Sequence, residues 1–434
     1  MIFGVISLII ILYSFFNYKN AFFAFLLYKI ILVQNISFIS IPGVPLLTAD
    51  TVLSMWFCIY YFLGGKKYKR TSVEMPYKVP LLIFCVVWFL SSVFSVDGFG
   101  SEITRYIQNV LDNVIMIFLI WNLVETKEDF KVLFKGITLI MFITCIYGFV
   151  EFLLQSNPLQ QYEATLVQDP EKVIDYSYET ENRGYRISSV FSHSIGAGLT
   201  WALYFITIVI LKVKRNKKLP WQFFSTVTAI LCFLCVFLTK MRSPLVFMGL
   251  SLLSVVDFRK KRFYYFLISA LLIGICLVPL VQNNTLVVLK SLFNQSAAAQ
   301  IQGSSLQQRI GQFQSGFQLL KYNPLVGLGD KFQSTVTDIT QVALTQQLLG
   351  MESVWLSTMV EYGILGICAE FIWIGYFLIK IPRLYRSLDV FFVALSYVIT
   401  ISITSTPGFQ IYLLYLSIFY LLKSTDFYRN GSLK

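Results

Sequence analysis

The chain has 434 residues, 56% of them hydrophobic, 17% aromatic and only 13% charged, with a mean hydropathy of +0.68. A soluble domain of this length needs far more polar surface, so a soluble enzyme or binding module is excluded. The formal net charge of +12 would suit a nucleic-acid partner, but its distribution argues against one, because the lysines and arginines gather in short segments between apolar runs.

Those runs cover residues 2–16, 21–40, 49–63, 79–96, 104–124, 132–154, 190–211, 221–239, 243–257, 263–281, 353–380, 389–405 and 408–423. Stretches of about 17–25 apolar residues cross a hydrocarbon core of about 30 Å as helices. Lipid offers backbone groups no partner, so the crossings must be helical. The predicted fold is an all-α polytopic membrane protein of about 12–13 transmembrane helices, forming a single domain over residues 1–434. The first two runs are the least defined, since Lys19 and Lys29 give weak orientation signals. No basic stretch or small-residue cleavage site accompanies the first run, which is expected to be retained as a span.

Basic clusters at "GKKYKR" (65–70), "KVKRNKK" (212–218), "FRKKRF" (258–263) and "KIPRLYR" (380–386) alternate with poorer connections. By the positive-inside rule the basic segments face the cytoplasm and the others face outward. Most of the positive charge then sets topology. Six of the seven cysteines lie inside apolar runs and Cys368 lies in the helix after Ser353, which implies packing and no disulfide framework.

Two outward segments exceed what a connector needs: a first loop at 155–187 and a large loop at 282–352. In the large loop Leu306, Ile310, Phe313, Phe317 and Leu320 form one apolar face of a helix. Asn323-Pro324 and the glycines of "KYNPLVGLG" stop it. This helix is expected to lie at the outer membrane boundary or over the bundle, roofing a cavity.

Cations collect at the same outward level. In "FLTKMRSPLVFMG", Lys240 and Arg242 interrupt two apolar runs at a short outward hairpin, where a charge avoids the cost of about 2.5–3.5 kcal/mol at the bilayer centre. Arg309 falls roughly 60° from the centre of the loop helix's apolar face. Arg183 and Arg186, in "ENRGYRISSVFSHS", enter another span at that level. Guanidinium forks match phosphate oxygens bidentately, so a phosphate or pyrophosphate headgroup is the natural ligand. The single histidine, His193, cannot make a metal site of ordinary ligand spacing. Hydrogen bonding and proton transfer are both open to it. Glu352 stands at the boundary as a candidate base or an arginine partner, and Glu361 about 13 Å farther along the helix as a helix-fixing group. There is no phosphate-binding glycine loop, no Asp-x-Asp metal pair and no nucleophile–His–acid set, so no cofactor is expected.

The order of these landmarks resembles the O-antigen ligase/polymerase superfamily, membrane glycosyltransferases of the GT-C class. The resemblance runs through "RISSVFSHSIGAG", "LTKMRSP", "SLQQRIGQFQSGFQLLKYNPLVGLG" and "ESVWLSTMVEYGILG", roughly residues 180–370. "RISSVFSHSIGAG" lacks the Pro–Asn of the family's corresponding stretch. By resemblance, Arg242 and Arg309 grip the pyrophosphate of an undecaprenyl-linked donor, with Arg183, Arg186, His193 and Lys240 around the pyrophosphate and glycan. The ligase branch has a histidine at the end of the large loop as proposed base. Here Glu352 holds that place, which favours the polysaccharide polymerase branch over transfer to lipid A core. The implied setting is the bacterial inner membrane, multi-pass, with a metal-independent active site facing the periplasm. Expected partners are undecaprenyl-pyrophosphate-linked oligosaccharides, membrane lipids and a chain-length regulator protein, with no nucleic acid. A ligase acting on lipid A core or protein, and a transporter or flippase of lipid-linked sugar, are the alternatives.

Overall fold

A computed structural model describes residues 2–31, 37–39, 47–64, 75–96, 98–166, 185–255, 306–330, 332 and 353–404. Its described elements are α1 (Ile2–Phe16), α2 (Tyr18–Ile31), α3 (Ala49–Leu63), α4 (Lys78–Val93), α5 (Phe99–Leu123), α6 (Lys127–Leu154) and α7 (Pro158–Leu166). They continue with α8 (Ser194–Lys214), α9 (Gln222–Leu238), α10 (Arg242–Leu252), α11 (Leu306–Leu320), α12 (Val354–Tyr385) and α13 (Leu388–Ile403). Among the described residues, four helices (α5, α6, α8 and α12) are long and apolar enough to cross a membrane. The protein is an all-α polytopic membrane protein. The runs expected at 263–281 and 408–423 lie outside the described residues.

Most apolar runs became helices within a few residues of their expected limits, because hydropathy selects both the helix and its length in lipid. Several details differ. The run at 21–40 does not stay helical: α2 ends at Ile31, and a short strand β1 (Ser37–Ile39) pairs antiparallel with β2 (Leu47–Thr48). Lys29 forms a buried ion pair with Asp50 at the start of α3 and so ties two helices together. The span expected at 353–380 is interrupted, since Gly363 leaves helical geometry (φ 63°, ψ −155°). Within α5, residues Val110–Ile115 are wound as a π-helix.

Local chemistry sets the helix starts. Thr126 and Asp129 close a reciprocal capping box on α6, at 3.1 and 2.9 Å. Thr48 caps α3 by accepting from Thr51 N–H at 3.2 Å. In the core, α8 packs against α9 and α10, α6 against α9, and α13 against both α10 and α12, while α4 and α11 flank α12. Outward-turned apolar side chains such as Val132, Leu139 and Ile143 on α6 and Phe223 on α9 remain exposed, as a lipid-facing surface requires.

The bundle has two chemically distinct ends. Arg215, from the 212–218 cluster, donates from Nε to Asp389 Oδ2 at 2.8 Å and from Nη2 to Ser387 Oγ at 3.0 Å, beside the 380–386 cluster; Lys214 also pairs with Asp389. These two basic segments thus share one end, as the charge alternation predicts. The opposite end carries the starts of α8, α10 and α12 and the ends of α6, α9 and α13, with Trp355 Nε1 donating to Ser402 Oγ at 2.7 Å.

Candidate functional site

At that second end, α9 and α10 are joined by Thr239–Met241. Lys240 takes a left-handed conformation (φ 52°), uncommon for a residue with a Cβ and a mark of stored strain. The reversal is fixed by Lys240 N–H to Phe237 C=O at 3.0 Å and by Thr239 Oγ1 to Val236 C=O at 2.7 Å. Arg242 is the first residue of α10, so its guanidinium starts from a helix N-terminus, where backbone N–H groups and the helix dipole favour an anion.

The segment Tyr185–Ser189 lies against this reversal. Ile187 N–H donates to Leu238 C=O at 3.4 Å and Arg186 Nη1 to Met241 Sδ at 3.1 Å. Arg186 is 7% exposed and Lys240 4%. Burial, and then the Arg186 charge, hold the Lys240 ammonium's pKa below the usual lysine value. The same two causes, in the same order, push His193 down to about 4, so it is neutral near pH 7. Its Nδ1 accepts from Ile195 N–H at 2.9 Å as the N-cap of α8, which leaves the proton on Nε2. His193 is therefore a cap through Nδ1 and offers only its Nε2–H as a donor.

One side chain missed by the sequence reading anchors the segment. Glu151, near the end of α6 and fully buried, accepts from Ser189 N–H at 2.6 Å, Ser188 N–H at 3.1 Å and Tyr185 Oη at 2.9 Å. Asn157 adds bonds to Ser188 Oγ at 3.2 Å and Ser189 C=O at 2.8 Å. Burial, then the adjacent Glu151, raise the Tyr185 phenol's pKa above its ordinary value. The available signal was an acid inside an apolar run, which is rare in a span unless it has a job. On the other side, Gly198 of α8 meets Pro244 of α10: a Cβ there would stand 2.6 Å from Pro244 Cγ.

The large loop reaches the same end through α11, which packs on the first turns of α12. The face turned to the bundle holds Gln312, Ser315 and Leu319, whereas Ile310, Phe313 and Phe317 are exposed. The apolar stripe thus faces outward, as a helix at the membrane boundary needs. After α11, "NPLVGLG" enters the break in α12. Leu328 N–H donates to Val360 C=O at 2.9 Å and Gly329 N–H to Glu361 C=O at 3.1 Å, while Ile364 and Leu365 N–H donate to Pro324 and Leu325 C=O at 3.0 Å each. Every backbone group freed by the kink in these pairs is met by the loop. Asp330 closes the junction, accepting from Tyr362 Oη at 2.7 Å and Asn109 Nδ2 at 2.9 Å. Glu361 was expected deep in one continuous helix; it lies at the interruption, and its backbone C=O also accepts from Ser91 Oγ at 2.8 Å.

The site residues named from sequence therefore divide. Arg186, Lys240 and His193 come together beside Arg242. Arg309 is described as part of α11. Arg183 and Glu352 lie outside the described residues.

Residues 227–370 match the family model described as O-antigen ligase. Over that third of its length the chain is similar to the O-antigen ligase family. The match runs from α9 through Arg242 and the large loop to Glu370. A comparison with curated proteins gave no match.

Proposed function

We propose that the protein polymerises surface polysaccharide, joining oligosaccharide repeat units carried on undecaprenyl pyrophosphate at the periplasmic face of the inner membrane. The observation that carries this is the burial of Arg186 and Lys240 at the reversal from which Arg242 starts α10. Cations packed this closely repel, and a diphosphate would relieve them. In the reaction an acceptor sugar hydroxyl attacks the anomeric carbon of the donor chain. The new C–O bond forms as the bond to the diphosphate breaks, and the leaving group departs with the electron pair. Arg242 and Arg309, with Arg186 and Lys240 nearby and Arg183 as a further cation named from sequence, would stabilise that growing charge. The hydroxyl proton goes to Glu352. His193, neutral and with Nδ1 committed, would contribute an Nε2–H to the ligand at most.

Ligation to lipid A core or protein is the second reading, favoured by the description of the matching family. The absence of any histidine from 282–352 favours polymerisation, because a ligase-type base would sit at the end of that loop. Purified protein given a defined lipid-linked repeat unit distinguishes them. A ladder of longer glycans is expected. One transfer to lipid A core indicates ligation, and relocation of the lipid with no new bond indicates flipping. Arg242→Lys and Arg309→Lys keep charge but lose the fork, and each should reduce the ladder by about 100-fold. Full activity in both would refute the bidentate grip.

A further inference from the structure

At the basic end, far along α6 and α8 from the candidate site, a cavity of about 340 Å³ opens among Lys127, Lys131, Lys135, Lys217 and Lys218, over a floor that includes Phe130, Leu219 and Trp221. Among the described residues no carboxylate lines it. Glu128 beside it pairs with Lys131 at 2.5 Å across an exposed surface, which leaves the cavity strongly positive. Topology alone would be served by lysines spread through solvent, yet here three come from α6 and two from the α8–α9 connection and surround one hollow.

The connection is held in a strained shape around that hollow. Asn216 and Trp221, at its two ends, both take positive φ (48° and 50°). For a tryptophan this is a genuine backbone outlier, of the kind that persists where surrounding structure enforces it. Lys217 N–H is tied to Leu211 C=O at 2.9 Å, and Lys135 Nζ lies 5.5 Å from the centre of the Trp221 ring. Burial, and then Arg215, lower the Lys217 pKa. A cationic rim over an apolar floor is the complement of an amphiphile. Below the rim the exposed Val132, Leu139 and Ile143 of α6 and Phe223 of α9 continue as a lipid-facing surface.

We propose that this cavity binds the phosphate of an anionic phospholipid from the surrounding bilayer, with the lysines around the headgroup and the acyl chains along α6 and α9. The shared chemistry is a phosphate ester; the apolar floor and the adjoining stripe favour a lipid over a free ion. The site is separate from the reaction and does not depend on the polymerase reading.

The test uses the full chain in phosphatidylcholine nanodiscs doped with phosphatidylglycerol, followed by native mass spectrometry of retained lipid. Wild-type protein should keep phosphatidylglycerol in preference to phosphatidylcholine, and K135Q/K217Q/K218Q should lower that retention by at least about tenfold. K135R/K217R/K218R should retain it, which guards against misfolding of the glutamine variant. Raising salt should strip the adduct from wild type. Equal retention of the two lipids, salt-independent retention, or no loss in the glutamine variant would overturn the site. Displacement by inorganic phosphate would overturn its assignment to a lipid.

Discussion

Glu151 shows how a single carboxyl group can place a cation it never touches. Its bonds to Ser188, Ser189 and Tyr185 fix the strand of chain that carries Arg186 to the α9–α10 reversal. Glu151→Gln keeps the shape but turns an amide NH2 towards backbone donors. We expect destabilisation of about 1–3 kcal/mol for each donor left unsatisfied, read as a lower Tm in detergent; an unchanged Tm would contradict the anchoring role. His193 makes a pH prediction. Its folded pKa of about 4 lies below the ordinary histidine value of 6.5, so the unfolded chain takes up the proton first as pH falls. Its contribution is complete above about pH 6.5 and is lost as pH drops through about 4. His193→Asn supplies an oxygen acceptor in place of Nδ1 and so keeps the cap without the titration, and its Tm should vary less than wild type over that window. Parallel curves for the two proteins would remove His193 as the source.

At the scale of elements, close backbone approach decides which substitutions the fold tolerates. A Cβ on Gly327, which has φ 74°, would stand 2.4 Å from the Glu361 carbonyl carbon, and no side chain is available to yield. Gly327→Ala should therefore destabilise the junction of loop and α12 severely and abolish activity. Gly249 of α10 has open space around its Cβ position, and Gly249→Ala should be neutral or stabilise by about 0.5–1 kcal/mol. Thermal unfolding of the pair is the measurement, and equal effects would show that the close approach is unimportant. Gly198→Val should behave like the first variant, because it drives α8 from Pro244.

For the whole molecule, the two ends should meet different compartments. Ser192, beside the candidate site, and Lys218, at the lysine cavity, are both exposed. In spheroplasts Ser192→Cys should react with a membrane-impermeant maleimide, and Lys218→Cys only after permeabilisation; the reverse pattern would invert the topology. The spans were legible in the sequence because hydropathy alone dictates helices in lipid. Arg186, Lys240 and Arg242 were legible too, as cations where apolar runs stop. Glu151 was hidden, since one acid barely changes the hydropathy of a 28-residue helix, and its partners lie more than thirty positions away. The interruption of α12 was equally hidden. "VEYGILG" fits an unbroken helix, and only the arrival of "NPLVGLG" gives its freed backbone groups partners.

That arrangement bears on how the protein is made. The segment filling the gap in α12 is translated before α12 itself, so it is already made when the kinked helix enters the bilayer. A nascent helix with unmet carbonyls would otherwise face hydrocarbon unaided. Chain order thus supplies the plug ahead of the hole, and a circular permutant that reversed this order should insert poorly even with every residue retained.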